Sequence, residues 1–229
     1  MREIVFDTET TGFKFSEGDR LVEIGCVELV NRVETGATFH RYFNPGRSMP
    51  AEAQAVHGLS DAFLADKPAF PTAIDELLAF LGDAPLVAHN ANFDFGFLNG
   101  ELQQAGYAPI AMSRMVDTLA IARSRHPGAK HTLDALCSRF GIDRSRRVLH
   151  GALLDAQLLS QVYVELMGGR QIGFGLDAAP APVVVERVET VAAPQPRPPR
   201  TFHASEAELA AHAAFIATLK EPLWAQSAP

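Results

Sequence analysis

The chain opens with an apolar run that ends in two carboxylates. Residues 3–8 have the composition of a buried strand, and Asp7 and Glu9 stand at its end. Side chains two positions apart on a strand point to the same face, so these carboxylates are expected side by side. Such a pair repels, and burying it without compensation is costly. A hard divalent cation resolves that conflict, whereas a solvated strand end leading into a turn at residues 10–12 is the structural alternative.

The following residues alternate between strand-like and helix-like patterns. Residues 21–30 and 37–43 are rich in β-forming residues and are joined by the polar segment 31–36, which predicts an antiparallel meander with the first strand. Later segments predict short strands at 86–88 and 116–118 and helices at 72–81, 92–105, 132–140 and 151–167. This order predicts an α/β fold with a mixed sheet flanked by helices.

A second group of polar residues follows the predicted strand at 86–88. Asp94 is expected in the first turn of the next helix, where free N–H groups and the helix dipole favour a carboxylate. Capping is the structural alternative, and Asn92 is the better candidate for the cap itself. Active sites of α/β sheets lie at the carboxyl ends of parallel strands, which is where this turn is expected.

His150 and Asp155 form a third group. His150 is expected in the loop before the helix at 151–167, and Asp155 about one turn inside it. That helix is otherwise apolar near its start, so packing does not explain Asp155. A histidine such as His150, taken alone, is more often a surface or structural residue. Asp117, at the end of another predicted strand, is interpreted as a helix cap rather than as a site residue.

Together these groups resemble the three exonuclease motifs of the DEDD family, in its histidine-containing branch. The motifs are residues 6–12 (Phe-Asp-Thr-Glu-Thr-Thr-Gly), residues 89–98 and the spacing of His150 and Asp155, in the family's order. The resemblance implies a ribonuclease-H-like fold, two Mg²⁺ (or Mn²⁺) ions, and release of 5′-mononucleotides from a 3′ end. It also implies that His150 is the general base and that the metal ligands are Asp7, Glu9, Asp94 and Asp155.

The resemblance further implies contacts with the end of a nucleic-acid strand. The candidate substrate-binding residues are Thr10, Gly12, Phe13, His57, Asn90 and Phe93. Phe13 and Phe93 are candidates for packing on terminal bases, which tolerates any base, although a core role for Phe93 is an equal alternative. A purely structural role is the alternative for His57, within the segment 56–58. Arginines 144, 146 and 147 either guide phosphates or belong to a solvated loop.

The overall charge limits the classes of partner. With 20 Lys and Arg against 27 Asp and Glu, the net charge is −7, which argues against coating nucleic acid by bulk electrostatics. Bound cations would reverse the local field, so a metal-dependent enzyme is not excluded. Cys26 and Cys137 lie in apolar surroundings and are predicted to be reduced core thiols, which favours the cytoplasm. We find no apolar stretch long enough for a membrane span and no signal peptide.

The composition changes after residue 168. We predict an exonuclease domain at 1–168, a flexible Pro- and Ala-rich linker at 169–200, and a segment at 201–229 that docks on another protein. Residues 205–219 are predicted to form a helix, because Ser205 and Glu208 have the spacing of a capping box. The candidate partner-binding residues are Gln171, Phe174 and Leu176, at 171–176, and Leu209, Ile216 and Trp224 in the docking segment.

The tail separates three hypotheses about function. Its order of linker and terminal helix resembles the epsilon-type proofreading subunits of bacterial DNA polymerase III. The resemblance implies DNA 3′ ends as the substrate, docking of 201–229 on the polymerase catalytic subunit, and a possible clamp-binding segment at 171–176. The first alternative is a free-standing exonuclease of the same branch that acts on RNA or short oligonucleotides, which has no need of residues 201–229. The second alternative is a mainly structural replicase subunit.

Overall fold

The apolar run at the start of the chain forms the central strand of a five-stranded sheet. The computed structural model describes residues 1–145, 147, 149–169 and 203–220. Its strands are β1 (Arg2–Thr10), β2 (Leu21–Val30), β3 (Val33–Tyr42), β4 (Leu86–Ala88) and β5 (Met115–Asp117). They are ordered β3-β2-β1-β4-β5, with β1, β2 and β3 antiparallel and with β4 and β5 parallel to β1. The predicted mixed sheet is confirmed.

The connection between β2 and β3 is shorter than the sequence predicts. The turn consists of Asn31 and Arg32, both with positive φ (52° and 66°), so the strand starts at Val33 instead of at residue 37. Two residues with positive φ suit a tight hairpin because their twist matches that of the flanking strands. The polar residues after Arg32 belong to an exposed edge strand, so their polarity does not mark a longer turn.

Helices cover both faces of the sheet. They are α1 (Ala51–His57), α2 (Asp61–Leu64), α3 (Ile74–Leu81), α4 (Asn92–Gln104), α5 (Thr118–Arg125), α6 (Leu133–Phe140) and α7 (Ala152–Leu166). The helices predicted from the sequence are present, with ends that differ by a few residues. Helices α1 and α2 were not predicted, because seven and four residues are too few to show a clear apolar period.

The two faces of β1 contact different helices, which decides where its polar residues point. Ile4 and Phe6 belong to the core that includes residues of α3 and α4, whereas Val5 packs with residues of α7. Because side chains alternate along a strand, Asp7 and Glu9 lie on the α7 side, and Thr8 lies on the α4 side. The end of β1 therefore offers polar groups to the first turns of both helices.

Gly25 allows α7 to approach the sheet closely. It pairs with Asp7 across β1 and β2. A Cβ atom at this position would lie 2.2 Å from the backbone nitrogen of Leu153, in the first turn of α7. Only a residue without a side chain permits this approach, and it brings the start of α7 beside the carboxylates of β1.

Both cysteines are buried and free, as predicted. Cys26 lies in the core with α3 and α4, and Cys137 lies in a smaller cluster formed with residues of α7. Within the described part of the chain, no helix is long and apolar enough to cross a membrane.

Residues 177–229 form a second unit, in which 203–220 are described. Helix α8 (Glu206–Ala217) begins with the predicted capping box, since Ser205 Oγ accepts from the Glu208 backbone and the Glu208 side chain accepts from the Ser205 backbone. Leu209 is 57% exposed, and Ile216 is half-buried. The linker beyond Gly169 and the residues Gln171, Phe174, Leu176 and Trp224 lie outside the described residues.

Candidate active site

Five acidic side chains line one cavity of about 750 Å³, and one of them, Asp134, belongs to α6. The other four come from three structural elements. Asp7 and Glu9 come from the end of β1, Asp94 from the first turn of α4, and Asp155 from the first turn of α7. His150, in the loop before α7, lines the same cavity and is half-exposed. The structure thus brings together all five residues that the sequence marked as candidates for catalysis and metal binding.

Thr8 fixes the position of Asp94. Its hydroxyl donates to Asp94 Oδ1 at 2.7 Å, and both side chains are buried. Thr8 lies on the α4 face of β1, so this bond ties the first turn of α4 to the strand that carries Asp7 and Glu9. A buried hydrogen bond to a carboxylate restrains its orientation, as outer-shell partners of metal ligands commonly do.

Asp117, and not Asn92, organises the turn before α4. The residue before α4 is Ala91, which provides no side-chain cap, so the prediction that Asn92 is the cap is wrong. Instead, Asp117 Oδ1 accepts from the backbone of Asn90, which has a φ of 63°, and from the backbone of Leu119. One carboxylate therefore caps α5, as predicted, and holds the turn that leads to Asp94.

Arg147 fills the space between Asp155 and His150. Its Nε and Nη2 donate to the two oxygens of Asp155, the latter at 2.7 Å. Nη2 also lies 2.8 Å from His150 Nδ1, and Nη1 donates to Asp134 at 2.9 Å. The side chain of Arg147 is only 9% exposed, so it does not belong to a solvated loop. Arg144 also pairs with Asp134, and Arg146 lies outside the described residues.

Helix α1 supports the loop that carries His150. The backbone N–H of His150 donates to the carbonyl of Val56 in α1 at 3.2 Å. This hydrogen bond ties the backbone of His150 to α1, a helix that was not predicted from the sequence.

Electrostatic repulsion and burial dominate the cluster. Burial, followed by the charges of Glu23 and the other site carboxylates, raises the pKa of Glu9 to about 8. Burial raises the pKa of Asp94 to about 7, even though the Thr8 hydrogen bond acts in the opposite direction. Asp7 has a pKa well above its usual range, because protein surrounds its carboxyl and Asp94 and Glu9 are close. The positive charge of Arg147 therefore does not offset the burial and repulsion that act on Asp7, Glu9 and Asp94.

The arrangement fits divalent cations. Ligand atoms of Glu9, His150 and Asp155 lie within 4.8 Å of one another. Carboxylate oxygens are the ligands that Mg²⁺ and Mn²⁺ prefer, and a cation would remove the repulsion that raises these pKa values. Four acidic groups around one cavity provide more negative charge than a single divalent ion would neutralise.

The raised pKa values predict how stability depends on pH. In the metal-free protein, Glu9 and Asp94 keep protons that the unfolded chain releases near pH 4. A raised carboxyl pKa stabilises the folded state below the unfolded pKa, and this contribution is lost as the pH rises through about 7 to 8. We expect the melting temperature in EDTA to fall between about pH 6 and 8.5, and to fall less with Mg²⁺. An equal fall with and without Mg²⁺, measured by differential scanning fluorimetry, would contradict this assignment.

Thr8 provides a second test of the site. Thr8→Val keeps the shape of the side chain but removes the hydrogen bond to Asp94, so we expect the rate of the reaction at this site to fall by about tenfold or more. Thr8→Ser keeps the hydroxyl and should retain most of the activity. If valine and serine had the same effect on single-turnover rates, the hydrogen bond would not be the cause.

A second cavity of about 620 Å³ adjoins the carboxylates, since Glu9 and Phe93 line both. It contains most of the predicted substrate-binding residues, namely Thr10, Gly12, Phe13, His57 and Phe93. Asn90 lines the carboxylate cavity instead. Phe13 is 86% exposed, whereas Phe93 is half-buried and packs on Phe97 with ring centroids 5.0 Å apart. Phe93 thus packs against the core and also lines the cavity, and its contact with a terminal base stays a prediction.

His57 is buried at the end of α1 and lines the second cavity. Its Nδ1 accepts from the Leu59 backbone at 3.0 Å, so the ring proton is assigned to Nε2. Within the described residues, Nε2 makes no hydrogen bond of ordinary length, although the Thr10 backbone acts on the ring. Burial lowers the pKa of His57, which keeps the ring neutral. A buried donor beside a cavity is suited to an acceptor on a ligand.

Some features of the site were not found from the sequence. Glu23 lies opposite Glu9 on the neighbouring strand, is buried, and pairs with His40 at 2.7 Å. The pairing of β1 with β2 brings Glu23 to the site. In the sequence, it was marked only by being an acidic residue inside a predicted buried strand. Arg147 and Thr8 carry no distinguishing pattern, because their roles depend on which side chains they reach.

Comparisons with known proteins agree with this geometry. A family model described as exonuclease matches residues 4–163, so the class of the domain is clear. A DNA polymerase III subunit epsilon of Rickettsia conorii is 54% identical over 177 residues, covering 76% of this chain and 77% of the relative. The subunit epsilon of Rickettsia prowazekii is 46% identical over 219 residues, covering 94% of this chain and 96% of that protein.

A solved structure is also similar. Exonuclease X in complex with 5′ overhanging duplex DNA is 25% identical, with a TM-score of 0.56 over 72% of this chain and 90% of that one. The chain therefore belongs to the exonuclease family and, within it, to the family of DNA polymerase III epsilon subunits. The resemblance noted from the three motifs, and the ribonuclease-H-like fold that it implied, are confirmed.

Proposed function

We propose that the protein is a metal-dependent 3′–5′ exonuclease that releases 5′-mononucleotides from DNA and proofreads for a bacterial replicative polymerase. The observation that carries this proposal is the convergence of four carboxylates and His150 on one cavity. The neighbouring cavity, with Phe13 and Phe93, is suited to the last bases of a strand. Stacking on aromatic rings does not depend on base identity, which a proofreading enzyme requires.

Two divalent ions, Mg²⁺ or Mn²⁺, are the proposed cofactors. Asp7, Glu9, Asp94 and Asp155 would hold them. When bound, such ions lower the pKa of a coordinated water and stabilise negative charge on the attacking and leaving oxygens. The ions' positive charge also offsets the repulsion that raises the pKa values of Glu9 and Asp94 in the metal-free protein.

His150 is the proposed general base. Its side chain is 48% exposed at the mouth of the cavity, within reach of both solvent and the carboxylates. Imidazole is the side chain that most often serves as a general base in enzymes. The backbone of His150 donates to the Val56 carbonyl of α1, so the base is restrained before substrate binds.

The second cavity is the proposed site of the terminal nucleotides. His57 Nε2 offers a buried donor to a sugar or phosphate oxygen, and Phe13 offers an exposed ring to a base. Thr10 Oγ1 donates to the Gly12 carbonyl, which holds the turn that forms one wall of this cavity. Asn90 would contact substrate from the carboxylate side.

The C-terminal part is the proposed connection to the polymerase. We assign residues 1–168 to the nuclease, 169–200 to a flexible linker and 201–229 to docking on the catalytic subunit. Helix α8 is short and has exposed apolar side chains, including Leu209 and Phe215, so it requires a partner surface for stability. Ile216 and Trp224 would add to this contact. A tether keeps the nuclease at high local concentration near a mispaired end.

We also propose a contact with a sliding clamp and a location in the cytoplasm. Residues 171–176, with Gln171, Phe174 and Leu176, form the candidate contact with a sliding clamp. The cytoplasm is the proposed location, since it holds the replicase that the named relatives belong to.

Substrate preference tests the proposed function against its alternatives. We would compare 3′-labelled DNA primers with paired and mispaired ends against a short RNA, with and without the polymerase catalytic subunit. Faster release from mispaired DNA, and a further increase with the polymerase that deletion of 201–229 removes, would support proofreading. Digestion of RNA alone would favour a free-standing RNA exonuclease. No release from either substrate, with loss of polymerase stability on deleting 201–229, would favour the structural subunit.

A further inference from the structure

Arg147 uses its three donor nitrogens in the candidate active site. Nε and Nη2 engage both oxygens of Asp155, and Nη2 also engages His150 Nδ1 at 2.8 Å. Nη1 is held by Asp134 at the start of α6 at 2.9 Å. Arg147 and Asp155 are 9% and 3% exposed, so solvent screens this pair weakly. The guanidinium is thus the charge partner of Asp155.

The same contacts occupy the groups that catalysis requires. Both oxygens of Asp155 accept hydrogen bonds from Arg147. An ion that binds either oxygen therefore meets a competing cation. When Arg147 donates to Nδ1, a neutral His150 carries its proton on Nε2 and has no free lone pair. A base needs such a lone pair to accept a proton. One arginine therefore blocks a metal ligand and the proposed base together.

We propose that Arg147 is an internal counter-cation of the metal-free site, which must leave Asp155 and His150 before a divalent ion binds Asp155 and before His150 acts as a base. The inference rests on the proposed use of metal ions. Arg147 is a positioning residue in this account, because it acts through Asp155 and His150. Movement of Arg147 away from both residues would couple ion binding at Asp155 to freeing of the lone pair on His150.

Charge repulsion favours the exchange of Arg147 for an ion. An ion such as Mg²⁺ lies about 2.0–2.1 Å from a carboxylate oxygen, closer than the hydrogen bonds that Arg147 makes with Asp155. A guanidinium at hydrogen-bond distance from the same oxygens would then repel the ion at short range. Asp134 provides a second anchor for Arg147, so the side chain has a charge partner after it leaves Asp155.

A purely structural role for Arg147 makes a different prediction. If Arg147 only pins the loop before α7 to α6, removing it should weaken ion binding by disordering His150. If it is a competing cation, removing it should strengthen ion binding while destabilising the metal-free protein. The two accounts predict opposite signs for the affinity.

The test is calorimetric titration of the full chain with Mn²⁺, without nucleic acid, together with melting temperatures in EDTA. We would compare wild type, Arg147→Gln, Arg147→Lys and the matched control Arg144→Gln. Arg144→Gln removes the same charge from the same loop, but Arg144 pairs with Asp134 and not with Asp155. Arg147→Lys keeps the charge but loses the two-pronged fit to the carboxylate.

We expect Arg147→Gln to bind Mn²⁺ about tenfold tighter, the equivalent of about 1.4 kcal/mol, and to melt at a lower temperature in EDTA. Arg147→Lys should bind Mn²⁺ more tightly than wild type but by a smaller factor. If Arg147→Gln does not fold, the affinity of Arg147→Lys decides whether Arg147 competes with the ion. Arg144→Gln should match wild type.

Equal or weaker Mn²⁺ binding by both Arg147 variants would overturn the inference, as would equal tightening in Arg144→Gln. If wild type bound no Mn²⁺, the proposed metal use would fail and this inference with it. If wild type bound Mn²⁺ and the Arg147 variants did not differ from it, only the role of Arg147 would be refuted.

Discussion

Replacing Asp7 with asparagine is expected to abolish nucleotide release while making the metal-free protein more stable. Asparagine preserves the size of the side chain but removes the charge that burial and the neighbouring Asp94 and Glu9 oppose. Loss of a direct ligand should reduce the rate by more than a hundredfold, since outer-shell changes alone cost about 10–100-fold. At about pH 8 in EDTA the melting temperature should rise, by about 2–4 °C for each kcal/mol gained.

The control for Asp7→Asn is Glu3→Gln on the same strand. Glu3 is also buried, but it accepts from the Tyr163 hydroxyl at 2.6 Å and lies outside the carboxylate cavity. We expect Glu3→Gln to leave the rate unchanged and not to raise the melting temperature. An Asp7→Asn protein that was both inactive and less stable in EDTA would show that Asp7 is needed for folding, not for holding cations.

Gly25→Ala is expected to reduce both stability and activity. The added Cβ would meet the backbone of Leu153 at 2.2 Å, so α7 must move away from the sheet. Overpacking of this kind costs about 1–3 kcal/mol. The movement would carry Asp155 away from Asp7 and Glu9, and a displacement of about 1 Å at a reacting centre can cost about a hundredfold in rate. Denaturant unfolding and single-turnover hydrolysis would measure the two effects.

Gly96→Ala is the matched control. Gly96 lies in α4, two residues after Asp94, and a Cβ there would meet no atom within 4 Å. Alanine favours helix over glycine by about 1 kcal/mol, so this variant should be as stable as wild type or more stable. If Gly25→Ala retained full activity, the close approach of α7 would not be what positions Asp155.

The sequence predicted the parts of the site that depend on local spacing. Asp7 and Glu9 are two apart on a strand, and Asp94 and Asp155 each lie in the first turn of a helix, so their positions follow from short segments. The alternation of strand-like and helix-like segments also predicted the mixed sheet. These predictions do not require knowing which residues that are far apart in the sequence come into contact.

The remaining features depend on contacts across the chain. Arg147 occupies the site because the loop before α7 folds over Asp155, and nothing in its own segment distinguishes it from Arg144. Glu23 reaches the site through the register of β1 and β2. Asn92 was wrongly assigned as the cap of α4 because Asp117, on a different strand, supplies the acceptor to that turn. Such roles follow from the fold and not from sequence spacing.

The most direct test of the central claim is release of the terminal nucleotide from a 3′-labelled, mispaired DNA primer by the purified full chain, first in EDTA and then after addition of Mg²⁺. The account predicts no release in EDTA and release of 5′-mononucleotides, one at a time from the 3′ end, once Mg²⁺ is added. Release that proceeds equally well in EDTA, or products cut from within the strand, would contradict the assignment of the carboxylate cavity as the site of a metal-dependent 3′–5′ exonuclease.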